Sequence, residues 1–305
     1  MEIVVAEAKL KIIKGRQLDI LSETENLITK GGPTLEDADL IKNIAQTIEH
    51  ADESTQLKFY ETFKPILTLD TLVGHTFLKP HGYAGDFQLV DKIHMNEISK
   101  NPKFTAWDMM YQNLAASVAL RNRKAYMNDL FDQEIKEKGY IRVLNIGSGP
   151  CRDIREFMDE RPNIAIDIDC IDSDQSAISF STELCERYKD NVHIKIGNVL
   201  RYKTDLKYDV VWSAGLFDYF KDKFFKALVS RFYNYVKPGG LLALGNINTT
   251  NPHKTEMEIL GQWYLHHRSE EQLRNLVIDA GVDEELVSVH CEPTTVNIFA
   301  HARKL

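Results

Sequence analysis

The chain has 305 residues, 43% of them hydrophobic, and a formal net charge of -8 at pH 7. That length allows two domains with sizeable cores, and the acidic balance argues against nucleic acid or an anionic membrane as a partner. No apolar run reaches the roughly eighteen residues that cross a membrane, and the start, "MEIVVAEAKLKIIKGRQ", shows no cleavage site. We therefore expect a cytoplasmic protein with no membrane partner.

The four cysteines form no C-x-x-C pair, and no cluster of metal-ligating residues stands out. This cysteine usage suits a reducing compartment and argues against a zinc knuckle or a redox motif. We predict no metal site, and the sequence does not disclose an oligomeric state.

The first part of the chain has a helical pattern. Apolar spacing over residues 34–69 fits amphipathic helices, with Thr34 and Asp37 placed as a capping box. A second helical stretch covers residues 106–138, and the segment "FLKPHGYAGDFQLVDKI" between them carries helix-breaking glycines and a proline. We predict a helical N-terminal cap, which also forms a substrate domain, over residues 1–138.

From residue 139 to residue 305, short apolar strands alternate with helical patterns. Such alternation predicts an α/β domain, namely a doubly wound, seven-stranded, mostly parallel sheet with helices on both faces. Ligands bind such sheets at the carboxyl ends of the strands. The turn that follows the first strand is therefore the expected place for a cofactor.

That turn is "VLNIGSGPCRD", in which Gly147 and Gly149 allow positive φ and a close approach of a ligand to the backbone. A dinucleotide site needs G-x-G-x-x-G, but its third glycine position is Arg152 here. The spacing G-x-G-x-G belongs to S-adenosylmethionine sites, and its third position is the small residue Cys151. The motif therefore favours S-adenosylmethionine over a dinucleotide.

Two polar residues end the next strands. Asp172 closes the second strand, where its carboxylate can accept both ribose hydroxyls of an adenosyl group. An acidic helix cap is the alternative reading of Asp172 taken alone. Asn198 follows the third strand and can hydrogen-bond the edge of an adenine.

These motifs, together with the strand around Asp209 and the "KPGG" turn, resemble the class I S-adenosylmethionine-dependent methyltransferases in order and spacing. The resemblance covers residues 140–305 and implies that S-adenosylmethionine is the cofactor and that Asp218 lies near it. It implies the following cofactor-binding residues: Asn145, Gly147, Ser148, Gly149, Asp172, Ser173, Asn198, Val199, Ala214, Gly215 and Phe217. The chain departs from the family at Asn145, where many members have an acidic residue, and at Cys151, where they have glycine.

A narrower likeness comes from the helical region, "KPHGYAGDF" and "QWYLHHRSEEQL". The chain resembles a bacterial methyltransferase group that includes enzymes making 3-hydroxypalmitic acid methyl ester. The resemblance implies a small-molecule acceptor, with a carboxylate as one candidate. A carboxylate is already ionised at neutral pH and needs no base, whereas a hydroxyl or amine acceptor would need one.

Catalytic candidates lie in two segments: His81, Tyr83 and Asp86, and then His266 and Arg268. The first segment forms a glycine-flexible loop that could close over a pocket, or a structural turn in which Asp86 caps the next helix. His266 has a surface or packing role as its alternative. Arg268 pairs either with a substrate carboxylate or with Glu271.

Other side chains of the helical region each have two possible roles. Arg121 and Arg123 either reach the methionine carboxylate of the cofactor or form a solvated helix face, which is the favoured reading. A set of apolar residues either lines an acceptor pocket or forms ordinary core: Phe77, Phe87, Trp107, Met109, Met110 and Tyr111.

Two other functions are disfavoured, and two stay open. The acidic charge, and "SAGLF" where amino-directed base methylases carry [DNS]-P-P-[YFW], disfavour a nucleic-acid methyltransferase. Arg152 disfavours a nicotinamide dehydrogenase. Methylation of an aromatic or amine acceptor, and a regulatory module that binds the cofactor without turnover, both stay open.

Overall fold

A computed structural model describes residues 20–305, so the sequence start considered above lies outside the described residues. The described residues form two compact units. Unit 1 comprises residues 20–89, 96–114 and 253–264, and unit 2 comprises residues 90–95, 115–252 and 265–305. No helix in residues 20–305 combines the length and apolarity needed to span a lipid bilayer.

Unit 1 is helical. Its helices are α1 (residues 20–29), α2 (Ala38–Glu49), α3 (Glu53–Phe63), α4 (Leu72–Leu78), α6 (Thr105–Asn113) and α11 (Lys254–Leu260). Helix α5 (Phe87–His94) begins in unit 1 and continues into unit 2. The predicted capping pair precedes α2: the Asp37 carboxylate accepts hydrogen bonds from the Thr34 N–H (2.7 Å) and hydroxyl (2.8 Å). The predicted helix start is confirmed.

Unit 2 is built on one seven-stranded sheet. Its strands are β1 (Ile141–Ile146), β2 (Ile166–Asp172), β3 (Val192–Ile196), β4 (Tyr208–Ser213), β5 (Val236–Ile247), β6 (Val287–Cys291) and β7 (Asn297–Arg303). Their order is β3-β2-β1-β4-β5-β7-β6, and β7 alone runs antiparallel to both of its neighbours. Its longer helices are α7 (Ala115–Lys138), α8 (Arg152–Glu160), α9 (Gln175–Leu184), α10 (Asp222–Tyr233) and α12 (Glu270–Asp279). The predicted doubly wound, mostly parallel sheet is confirmed.

Apolar side chains pack on both faces of the sheet. Neighbouring residues of one strand point to opposite faces, so each strand contributes to both. Leu144 in β1 packs with Phe225 and Leu228 of α10, whereas the preceding Val143 packs in a second cluster with Phe131 and Phe157. Both clusters are fully buried, so the strands are apolar on both sides. This is why they appear in the sequence as continuous apolar runs.

The boundaries differ from the sequence prediction in three places. Helix α7 belongs to unit 2 rather than to an N-terminal cap ending at residue 138, because Met127 and Phe131 lie in the sheet's core. Helix α11 belongs to unit 1, where it packs on α2. The predicted turn "KPGG" is part of β5, which begins at Val236.

Candidate cofactor site

The loop after β1 has an unusual backbone. Gly147 and Gly149 have φ values of 64° and 55°, and Cys151 has φ 53°, which non-glycine residues seldom adopt. A Cβ on Gly147 would lie 2.8 Å from the Leu216 Cβ, whereas a Cβ on Gly149 would meet nothing within 4 Å. Glycine at 147 therefore allows close packing, and the space beside Gly149 is open to a ligand.

Asp172 joins this loop to the end of β2. One carboxylate oxygen accepts the Gly149 N–H (2.9 Å), and the other accepts the Asp174 N–H (3.0 Å). Each oxygen has a second lone pair, so the carboxylate can accept two further hydrogen bonds. The structure thus brings together Gly149 and Asp172, two of the residues predicted to bind the cofactor.

The remaining predicted cofactor residues are placed in different ways. Ser173 and Asn198 are exposed, and the Asn198 side chain accepts the Leu200 N–H at 2.9 Å. Val199, Ala214 and Gly215 are half-buried in the loops after β3 and β4, and Asn145 is buried within β1. The Ser148 hydroxyl is also buried and has no hydrogen-bond partner among the described residues.

The prediction that Phe217 binds the cofactor needs a correction for its side chain. Its ring is fully buried and packs edge-on against Phe225, with ring centroids 5.0 Å apart. The ring is therefore part of the sheet's core and offers no face to a cofactor. The segment after β4 begins a short 3-10 turn at Phe217, which directs this side chain inward.

Arg123 on α7 reaches the loop after β4. Its Nη1 donates a long hydrogen bond to the Ala214 carbonyl (3.4 Å), and a Cβ on Gly215 would lie 2.8 Å from that nitrogen. Its Nε is inaccessible and has no hydrogen-bond partner among the described residues. The favoured sequence reading, a solvated helix face, is therefore wrong for Arg123.

Two carboxyl groups, the buried Asp218 and the half-buried Asp153, share the surroundings of Arg123. Burial raises the pKa of Asp218 to about 6, although the Ile247 N–H and the charges of Arg123 and Arg268 oppose this rise. The Ile247 N–H donates to Asp218 at 2.6 Å. Burial also raises the pKa of Asp153, against the charge of Arg123. The site therefore combines one guanidinium with two carboxyls of weakened acidity.

A buried histidine and an ion pair complete this edge of unit 2. Burial, followed by the charges of Arg123, Lys124 and Arg152, holds the pKa of His94 well below its usual value, so the imidazole is neutral. Arg152 pairs with Asp91 through an Nε–Oδ1 distance of 2.7 Å. This pair tethers the start of α8 to α5, which gives a structural reason for arginine at the position where a dinucleotide site has glycine.

Arg268 and His266 follow α11 in the chain. Arg268 is 4% exposed, and its guanidinium donates to Asn246 (2.7 Å), the Phe220 carbonyl (2.6 Å) and Asp222 (2.9 Å). The predicted pairing of Arg268 with Glu271 is therefore wrong. Because the guanidinium already has these partners, it is not available to a substrate carboxylate. The His266 side chain is exposed, while its backbone N–H donates to the Asp218 carbonyl.

The predicted catalytic loop lies in unit 1. Asp86 is fully buried, its carboxylate oxygens lie 2.9 Å from His75 Nε2, and one of them accepts the Leu89 N–H at 2.9 Å. Asp86 thus caps α5, as the structural alternative held. The His81 ring packs on Phe87 at 4.6 Å, and Tyr83 is half-buried. His75 was missed because nothing in the sequence links it to Asp86.

The comparisons with known proteins identify the domain that carries this site. Residues 143–240 match the family model described as a methyltransferase domain. Unit 2 therefore contains a methyltransferase domain. Its cofactor is S-adenosylmethionine. No curated protein matches the sequence.

Solved structures share the fold of the methyltransferase. A protein from Bordetella parapertussis, described as a possible exported protein, has a TM-score of 0.64 at 16% identity, with 96% of each chain covered. A candidate O-methyltransferase from Nostoc punctiforme has a TM-score of 0.53 at 14% identity, covering 98% of this chain and 99% of its own. Mitomycin 7-O-methyltransferase MmcR has a TM-score of 0.51 at 13% identity, covering 99% and 100%.

The residues present fit S-adenosylmethionine. Gly149 leaves open space beside its backbone, Asp172 retains acceptor capacity for ribose hydroxyls, and the Nε of Arg123 is an unpaired, inaccessible donor. In the described part of the chain, no group of three or more His, Cys, Asp or Glu residues could hold a metal ion.

Proposed function

We propose that the methyltransferase acts on a small molecule and transfers the methyl group to an oxygen, with a carboxylate as the acceptor. The observation that supports a carboxylate oxygen as the acceptor is the burial and hydrogen bonding of Asp218. This carboxyl is buried at the cofactor edge and bonded to the Ile247 N–H, so it is poorly placed to serve as a free base. An acceptor that is already ionised, such as a carboxylate at neutral pH, does not require a base.

The roles of the chain's own residues follow from their contacts. We propose that Asp172 accepts the ribose hydroxyls, that the backbone around Gly149 lies against the cofactor, and that Arg123 holds the methionine carboxylate. When bound, S-adenosylmethionine supplies an electrophilic methyl group on a sulfonium. Fixing the cofactor in this way orients it for in-line displacement, and such positioning lowers the barrier to the transfer.

The resemblance to enzymes that make 3-hydroxypalmitic acid methyl ester supports an acyl carboxylate as the finer assignment. The cysteine usage, with no C-x-x-C pair, supports the cytoplasm as the location. The supporting observations are the acidic charge of the chain, which disfavours anionic polymers, and the ionised state of carboxylates at neutral pH.

A hydroxyl acceptor is the second candidate, and Asp218 favours it in one respect. A base whose pKa lies near 6 is largely ionised at neutral pH yet still accepts a proton. The two candidates differ in their pH dependence. With Asp218 as an essential base, the rate rises as pH increases through about 6, because only the deprotonated carboxyl can take the proton.

The test is a screen of hydroxy fatty acids, aromatic alcohols and amines, read by mass for the gain of one methyl group. For a carboxylate acceptor we expect an ester product. We also expect a rate that does not change between about pH 5.5 and 7.5, a range that includes the Asp218 pKa of about 6. The isosteric variant Asp218→Asn should then keep most of the activity. An ether product, with a rate that falls below pH 6 in wild type and is lost in Asp218→Asn, would replace the carboxylate by the hydroxyl.

A further inference from the structure

Unit 1 contains a cavity of about 140 Å³ that the methyltransferase site does not use. It lies among α2, α6, α11 and the turn before α2. Its lining is mostly apolar: Pro33, Leu35, Ala38, Ile41, Ala106, Met109, Met110 and Leu114, with Thr34, Asn113, His253 and Glu256 as polar members. Two of the residues predicted to form a pocket wall, Met109 and Met110, are in it. Leu35 and Met109 are exposed, so the cavity can be reached from solvent.

Within residues 20–305, one carboxylate oxygen in the lining has no hydrogen-bond partner. Glu256 is 2% exposed, and its Oε2 is inaccessible with no hydrogen-bond partner among the described residues. An unsatisfied buried polar group destabilises the folded protein, and a leucine or methionine at this position would avoid that cost. A side chain that is costly in the unliganded protein is explained if a ligand supplies its partner.

We propose that this cavity binds a small, neutral aliphatic molecule that carries a hydroxyl group, with the hydroxyl hydrogen-bonded to Glu256. A hydroxyl both donates and accepts, so it can pair with either oxygen of a carboxylic acid. The apolar lining receives the hydrocarbon part, and the volume is close to that of engineered cavities of about 150 Å³ that bind benzene.

The surroundings of Glu256 select a neutral ligand. Burial raises the pKa of this carboxyl, whereas a hydrogen bond from its own backbone N–H and then electrostatic interactions with His253 and Lys42 lower it. The same burial would penalise a ligand carboxylate. The positive charge of Lys42 opposes an ammonium group beside the acid. An uncharged hydroxyl incurs neither penalty.

The methionines provide a reporter that does not depend on methyl transfer. The methyl groups of the methionines can be labelled with carbon-13 and observed by NMR. Met109 and Met110 line the cavity, whereas Met127 and Met158 lie in the core of unit 2. Titration with 1-hexanol should shift the Met109 and Met110 signals saturably, with a millimolar or tighter dissociation constant, and leave the Met127 and Met158 signals in place. Hexylamine and hexanoate should bind at least tenfold more weakly.

Variants of Glu256 separate a binding role from a structural one. Glu256→Leu should weaken hexanol binding at least tenfold while leaving the melting temperature without ligand equal or higher, since an orphaned acid is removed. Glu256→Gln keeps a donor and an acceptor and should bind hexanol nearly as wild type does. The matched control is Glu258→Gln on the same helix, because Glu258 pairs with Lys254 outside the lining.

Three results would overturn the proposal. The first is the absence of a saturable shift of Met109 and Met110 up to the solubility limit of hexanol. The second is unchanged hexanol binding in Glu256→Leu, which would make the cavity apolar only. The third is tighter binding of hexylamine or hexanoate than of hexanol, which would replace the neutral ligand by a charged one. Because none of these measurements needs turnover, they are independent of the acceptor proposed above.

Discussion

At the scale of single residues, the cofactor edge depends on polar groups that have several tasks at once. Asp172 fixes the Gly149 N–H and the Asp174 N–H, and still has lone pairs for a ligand. Its carboxylate therefore arranges the loop before any cofactor binds. Preorganisation of this kind reduces the ordering that binding would otherwise require.

We predict that Asp172→Asn raises the dissociation constant for S-adenosylhomocysteine at least tenfold. The variant loses charge-assisted hydrogen bonds, and tenfold corresponds to about 1.4 kcal/mol. Calorimetric titration measures the change. Asp167→Asn is the matched control, since Asp167 lies in the same strand near its amino end and accepts the Tyr140 hydroxyl. Unchanged affinity in Asp172→Asn would remove this residue from the cofactor site.

Arg123 allows a sharper test, because the cofactor can be shortened as well as the side chain. Arg123→Met should weaken S-adenosylhomocysteine at least tenfold, but change the affinity for methylthioadenosine, which lacks the amino-acid carboxylate, by less than about twofold. Arg121→Met on the same helix should affect neither ligand. Equal losses for both ligands would mean that Arg123 supports the loop at Ala214 and Gly215 rather than a carboxylate.

At the scale of elements, the strands and their terminal residues were predictable, whereas several side-chain partners were not. Continuous apolar runs identified the parallel strands, and the spacing of Gly147, Gly149 and Asp172 identified the loop that the structure brings together. Arg123 was misjudged because α7 carries charged residues around much of its surface, so its sequence gives no sign of which cation reaches the loop after β4. His75 and Asp86 pair across a turn that local patterns do not reveal.

The turn from α4 to α5 gives a prediction at this scale. Asp86→Ala should destabilise the protein by about 2–4 kcal/mol, because it removes a helix cap and leaves a buried histidine without its partner. Asp86→Asn retains capping capacity and should cost less. The measurement is urea unfolding, with cofactor affinity of the folded protein as the second readout.

Two neighbours in the same loop are the controls for a catalytic role. His81→Ala and Tyr83→Phe should lower methyl transfer more than cofactor binding if the loop acts in turnover, and should cost little stability. If Asp86→Ala lowers methyl transfer at full stability, the structural account of Asp86 is wrong. If His81→Ala and Tyr83→Phe retain full activity, the predicted catalytic role of these two residues is lost.

At the scale of the whole molecule, the chain does not divide at one point. It passes between the two units repeatedly, so unit 2 takes α7 from the region before the first strand and gives up residues 253–264 to unit 1. Periodicity shows that a segment is helical and which side is apolar. It contains no information about which distant segment covers that side, and this is why residue 138 was an attractive boundary in the sequence.

The division predicts how fragments behave. A fragment of residues 139–305 lacks α7 and therefore the buried side chains of Met127, Leu130 and Phe131. Each large core side chain contributes about 2–5 kcal/mol, so their loss together approaches or exceeds the 5–15 kcal/mol that stabilises a typical domain. We expect this fragment to show no cooperative thermal transition by circular dichroism. The matched fragment of residues 115–305 keeps α7 and should unfold cooperatively, with a melting temperature that rises when S-adenosylhomocysteine is added. A cooperative, ligand-stabilised transition in the shorter fragment would restore residue 138 as the boundary of the methyltransferase domain.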